Sequence, residues 1–208
     1  MSTRKTKLMA LAKTPKPKAP TLTVVPDKLE RHYHKLVMPS TLAPVTPGEL
    51  PAGLLVDVKP YGKLHPLAAD AYMALRDAAF AAGVKTFKPT SAADTYRSMS
   101  TQTAGFLARY QTQPIAGAST RTWKGNTYYL KPNCAPMAAP GSSRHNFGLA
   151  VDISDASETA RMQFMLKNIE GYGFTWEVQS EPWHIFYYVG DRVPALVQQW
   201  KQAKSLQS

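Results

Sequence analysis

Residues 149–189 read LAVDISDASETARMQFMLKNIEGYGFTWEVQSEPWHIFYYV, and this stretch decides the fold class. Leu149–Ile153 is short, apolar and β-branched, the pattern of a buried strand. Asp155-Ala-Ser-Glu158 is a capping-box variant opening a helix that runs to Glu170 and is closed by Gly171. Met162, Met165, Leu166 and Ile169 keep the three-and-four spacing of one buried helical face. Phe174–Val178 and Trp183–Val189 then read as paired strands.

Outward from that stretch the pattern stays mixed. Pro66 to Ala82 reads as a helix, with Pro66 in the first turn and Gly83 as the left-handed stop. Val84–Phe87 is a short β-prone run, and Ser98 to about Gln111 reads as a second helix. Residues 112–142 are loop-like apart from Trp123–Leu130, where Gly125-Asn126 suits a hairpin turn. Pro194 starts a final helix to about Lys204. Helices followed by strands, without regular βαβ alternation, predict an α+β fold with a small central antiparallel sheet flanked by helices.

Nine of the 17 prolines fall in residues 1–60. Proline fixes φ and removes a donor, so residues 1–51 are expected to be largely disordered, with 27–37 as a short helix. Residues 52–208 form the expected compact domain. The net charge is 25 − 14 = +11, and its distribution matters more than its sum. Residues 1–35 hold nine Lys/Arg against Asp27 and Glu30, leaving 16 bases and 12 acids for the rest. A mildly basic body suits an enzyme of anionic polymers and does not require a nucleic acid. Hydrophobic residues at 44% exclude wholesale disorder, and no run approaches the ~18 apolar residues of a membrane span. The apolar stretch Leu8–Ala12 falls short of the ~7–15 residues of a secretory core, so no secretion signal is read. The single cysteine, Cys134, excludes an internal disulfide and reads as a loop bystander.

The chemistry concentrates on two histidines. His32, His34 and His65 have no acidic partner at useful spacing and read as surface residues. His145, by contrast, begins His-Asn-Phe-Gly-Leu-Ala-Val-Asp152, and His184 ends Glu181-Pro-Trp-His. Two imidazoles and a carboxylate make a catalytic zinc set with a fourth position left for water. The separation 152 − 145 is odd, so on a regular strand the two side chains would face apart. They can share a metal only where the backbone breaks between them, and Gly148 is the place for it. The alternative is a core aspartate, a surface glutamate and two structural histidines.

The wider context favours the metal. Ser143-Arg-His145-Asn-Phe-Gly148-Leu-Ala150-Val-Asp152 resembles the Ser-x-His-x-x-Gly-x-Ala-x-Asp signature of zinc D-alanyl-D-alanine carboxypeptidases. That superfamily includes the L-alanyl-D-glutamate peptidases of phage lysins. Tyr172-Gly-Phe174 with Glu181-Pro-Trp-His184 is similar to its second metal motif, and Tyr96-Arg97-Ser98-Met-Ser-Thr-Gln102 to its Tyr-Arg-Ser-x-x-x-Gln element. The resemblance covers roughly residues 60–190. It implies zinc ligands at His145, Asp152 and His184, carried by the small sheet, with Glu181 as the catalytic base. It places Arg97 at the scissile carbonyl or a substrate carboxylate, and Ser143 and Gln102 on the substrate side. Trp183 is also expected on the substrate side, packed beside the ligands and fixing His184.

The implied function is a zinc peptidase of peptidoglycan stem peptides, with carboxypeptidase and endopeptidase action both open. The expected protein is monomeric, lacks a specific nucleic-acid partner, and reaches the wall through phage-type release or as a virion component. The competing class is a non-catalytic wall-binding or virion structural module of the same fold, which would have no need of Glu181.

Overall fold

The computed structural model describes residues 30–154 and 157–207. The basic tail before residue 30 and the cap expected at Asp155 lie outside them. Short 3₁₀ turns at Ser40–Leu42 and Ala52–Leu54 lead into an antiparallel pair, β1 (Val56–Asp57) and β2 (Lys63–Leu64). Helix α1 (Pro66–Ala81) begins at the expected proline and stops at Gly83, whose φ is 86°. It buries Ala68, Ala71, Tyr72, Leu75 and Ala79 in the main core. Helix α2 (Met99–Arg109) follows, and Ser98 Oγ caps it by accepting from Thr101 N.

Residues 112–142, expected as loop around a hairpin at Trp123–Leu130, contain that hairpin and with it most of a second sheet. Strands β3 (Tyr110–Gln111), β4 (Thr120–Trp123) and β5 (Asn126–Leu130) pair antiparallel in the order β3-β5-β4. Their aromatics pack with Phe106 and Tyr110 into a small separate core. The hairpin turns on Lys124-Gly125, one residue earlier than expected. Both have positive φ, 48° and 76°, as a two-residue hairpin turn of this kind demands, and Asn126 is left to pair with Trp123.

The central sheet consists of β6 (Ala150–Asp152), β7 (Phe174–Trp176) and β8 (His184–Tyr187), ordered β6-β8-β7 and antiparallel throughout. Helix α3 (Thr159–Asn168) and a 3₁₀ turn at Ile169–Tyr172 connect β6 to β7, and α4 (Ala195–Ser205) closes the chain. The left-handed stop before β7 is Gly173, with φ 85°, and not Gly171; a Cβ on Gly173 would also stand 2.9 Å from the Tyr187 ring. Glu158 caps α3 by accepting from Ala160 N and Arg161 N. Val151, Phe174, Trp176, Ile185 and Tyr187 enter the main core from one face of the sheet. By alternation Asp152, His184 and Phe186 lie on the other face.

Two expectations fail at the N-terminal side. Residues 30–37 are not helical. They form no regular element apart from an isolated parallel bridge between Val37 and Val189, where Val37 N donates to Tyr188 O at 2.9 Å. The folded body also begins before residue 52. Leu42 and Leu50 are buried in the main core, Gly48 N donates to Asn146 O, and Met99 N donates to Gly48 O. Proline content forbade regular elements here but did not prevent packing, because the prolines alternate with apolar residues that still have surface to bury. Val84–Phe87 forms a turn and not a strand, with Phe87 fully buried.

Candidate metal centre and active site

Gly148 makes the break that the odd spacing required. A 3₁₀ turn, Arg144–Phe147, precedes it, and Ser143 Oγ caps that turn by accepting from His145 N at 3.3 Å. Gly148 is left-handed, with φ 65° and ψ 24°, and a Cβ on it would meet His65 N at 2.8 Å. The chain therefore turns over between His145 and β6, and His145 comes round to Asp152. Asp152 is the cross-strand partner of His184. The His145 and His184 ring centroids are 5.1 Å apart, and one ligand atom from each of the three residues lies within 4.8 Å of the others.

The hydrogen-bond partners orient both rings toward the same point. Thr95 O can only accept, so His145 Nδ1, 2.6 Å away, carries the ring proton. That leaves buried Nε2 without a hydrogen-bond partner, 3.2 Å from Asp152 Oδ2. His184 Nε2 stands 2.9 Å from Glu177 Oε2, which leaves Nδ1 2.8 Å from Asp152 Oδ1. Two imidazole lone pairs thus converge on one carboxylate, an arrangement that only a shared cation or added protons can satisfy. A mixed set of two imidazoles and one carboxylate, without thiolate, fits zinc. In the metal-free chain burial lowers the His184 pKa, but hydrogen bonds and charge from Asp152 and Glu177 outweigh it and raise the value to about 9. For Asp152, burial pushes upward, and the two histidines hold the carboxyl well below its usual range.

Two glutamates flank this centre in opposite states. Glu177 is engaged twice, by His184 Nε2 and in an ion pair with Arg144 Nε at 3.1 Å. Burial raises its pKa, but these partners leave it net lowered. Glu181 lies in the tight turn before β8, where its N donates to Val178 O and its carbonyl accepts from His184 N. Burial pushes its pKa up, as do Asp152 and Glu177, while His184 and Arg97 pull down, and the net shift is upward. It is not one of the three clustered ligand residues. A carboxylate near the centre, outside the ligand set and with raised proton affinity, is suited to general-base work.

Glu177 was not legible in the sequence. It sits one residue past β7, with nothing in its neighbourhood to mark it. A carboxylate that holds the second nitrogen of a metal-binding histidine typically contributes about 10–100-fold in metal affinity or activity. Glu177→Gln is therefore expected to weaken zinc binding about 10-fold or more with little change in melting temperature. Competition against a zinc chelator measures it, and unchanged affinity would remove Glu177 from the centre.

Arg97 donates from Nη2 to Asp152 Oδ2 at 2.7 Å and from Nε to Ala93 O, so its charged partner is the central carboxylate. Asn146, also missed in the sequence, ties Arg97 O to Gly141 N through its side chain. Ser143 is buried and acts as a cap. Gln102 is fully buried on α2, donates to Ala138 O at 2.8 Å, and so anchors the 131–143 loop. Trp183 stands beside the ligand Asp152 but is not buried: it is 42% exposed and lines an open cleft with Asp152, Thr90, Asp94 and Ser154. Of the other histidines His65 departs from expectation as well, whereas His32 and His34 are exposed as expected. His65 is buried at the start of α1, bonded to Thr41 Oγ1, and burial lowers its pKa. His32 and His34 do have an acidic partner, Glu170, distant in sequence.

An α+β scaffold whose sheet sets a histidine opposite an aspartate, with a second histidine folded over them and a free-standing glutamate beside, defines a peptidase-type centre. Residues 62–191 match the D-alanyl-D-alanine carboxypeptidase family VanY, more than half of the chain, and the protein belongs to that family. Among solved structures it is similar to VanYB in complex with D-alanine-D-alanine, at 19% identity and a TM-score of 0.38, over 76% of this chain and 92% of that one. No curated protein matches.

Proposed function

We propose that the protein is a zinc-dependent D,D-carboxypeptidase that hydrolyses the terminal amide bond of peptidoglycan stem peptides. The observation that carries this reading is the convergence of His145 Nε2 and His184 Nδ1 on the Asp152 carboxylate. These three residues would hold the ion. A bound zinc supplies a water acidified to a pKa of about 7 and polarises the scissile carbonyl. Glu181 takes the proton of the attacking water and returns it to the leaving amine. Arg97, anchored through Asp152, turns the rest of its guanidinium to the negative charge developing on the carbonyl oxygen. Water is the nucleophile, so no acyl-enzyme forms. Trp183 offers an apolar wall to the alanyl methyl groups, and Ser143 and Gln102 fix the loop that borders them. The biological setting we propose is phage-type lysis or entry, with the protein acting on the wall as a monomer.

Mass spectrometry of purified muropeptides after digestion tests the activity. The expected result is loss of one terminal alanine from pentapeptide stems, abolished by a chelator and restored by zinc. Cleavage that a chelator leaves intact, or cleavage only between chain-internal residues, would overturn it.

A further inference from the structure

We propose that His32, His34 and Glu170 form a second divalent-metal site, which takes zinc or a similar borderline cation and clamps the N-terminal strand onto the catalytic domain. One ligand atom from each residue lies within 4.8 Å of the others. His32 Nδ1 is 2.6 Å and His34 Nε2 3.2 Å from the same atom, Glu170 Oε1. The donor set repeats that of the catalytic centre, two imidazoles and a carboxylate without thiolate, which is zinc-like chemistry.

The local structure holds these groups in place. His32 and His34 both bring a ring nitrogen to Glu170 Oε1, so the two side chains leave the chain on one side. Thr175, fully buried in β7, fixes that chain twice. Its Oγ1 accepts from His34 N at 3.1 Å and donates to His32 O at 2.8 Å. The His34 ring stacks on Tyr188 at 4.5 Å between centroids and 9° between planes, which sets the direction of its nitrogens. Glu170 sits in the 3₁₀ turn Ile169–Tyr172, two positions past the last residue of α3 and so at the negative end of that helix, where a cation is favoured. The side chains are 58%, 41% and 39% exposed, so water can complete the coordination shell. Clamping has a consequence for the cleft. Tyr33, His34 and Lys35 line a groove together with Glu177 and Arg144, the pair behind His184. The site would therefore order one wall of that groove.

The site is independent of the catalytic centre, and the test keeps the two apart. The full-length chain, stripped of metal, is titrated with zinc in a buffered series. The parent should take up two equivalents. His32→Ala/His34→Ala should keep one, and a His145→Ala chain should keep the other. Glu170→Gln should weaken the second step, and zinc should slow amide exchange of residues 31–37 in the parent but not in the double variant. A double variant whose titration superimposes on that of the parent, or a His145→Ala chain that binds no zinc, would show that the two histidines make only an ion pair with Glu170.

Discussion

Glu181→Gln is expected to keep its zinc and its melting temperature while losing about 10²–10⁴-fold in amide hydrolysis, the usual contribution of a positioned acid–base group. The upper end is expected, because one carboxyl serves both proton transfers. The structure explains why Glu181 and not Glu177 is the base. Glu177 spends its two oxygens on His184 and Arg144 and is net stabilised as the anion. Glu181 is pushed toward the protonated form by burial and by its acidic neighbours, which brings its proton affinity closer to neutral pH. A Glu181 general base should set the acid limb of kcat/KM, and that limb should vanish in Glu181→Gln. Three readouts per variant decide the matter: zinc content, melting temperature and muropeptide cleavage. A Glu181→Gln enzyme within a few-fold of the parent would eliminate the mechanism.

How much of this was legible in the sequence differs by region, for physical reasons. The helices α1, α2 and α4 and the central strands follow from local pattern, since proline and glycine punctuate them and apolar spacing sets their period. The grouping of His145, Asp152 and His184 was legible only through the resemblance of their motifs to a known family, since parity alone set His145 and Asp152 apart unless the chain broke between them, and Gly148, with its φ of 65°, makes that break. What escaped was decided by long-range contact. Glu177 gains meaning only from the register that brings β7 beside β8. Residues 36–50 look like a proline-rich leader, yet Leu42 and Leu50 find the core through partners more than a hundred residues away in places, such as Asp191, which accepts from Ser40 N. His32 and His34 lacked an acidic neighbour in sequence and have Glu170 in space. A large aromatic beside a ligand suggested burial, whereas Trp183 is exposed and lines the cleft.

Asp152→Ala should fail differently from Glu181→Gln, losing metal at the catalytic centre and hydrolysis together. Its carboxylate is the point on which Arg97 Nη2 at 2.7 Å, His184 Nδ1 at 2.8 Å and His145 Nε2 at 3.2 Å converge. Removing it leaves a mostly buried guanidinium without its carboxylate, which costs about 3 kcal/mol by the usual penalty for breaking a buried pair. The melting temperature should therefore drop as well, which Glu181→Gln should not cause. The metal-free chain adds a pH signature. His184 has its pKa raised from 6.5 to about 9, so its contribution is fully present below about pH 6.5 and is lost as pH rises through about 9. Asp152 has its pKa depressed, so its contribution is present above the ordinary carboxylate range and is lost only as pH falls well into acid. The chelated parent should thus lose stability between about pH 6.5 and 9. Asp152→Asn should flatten that slope, because His184 then keeps only Glu177 as a charged partner. Thermal melts across this range, with and without zinc, measure both effects. If Asp152→Asn retained full zinc at the catalytic centre together with the parent's slope, Asp152 would be neither a ligand nor the charge that holds His184 protonated.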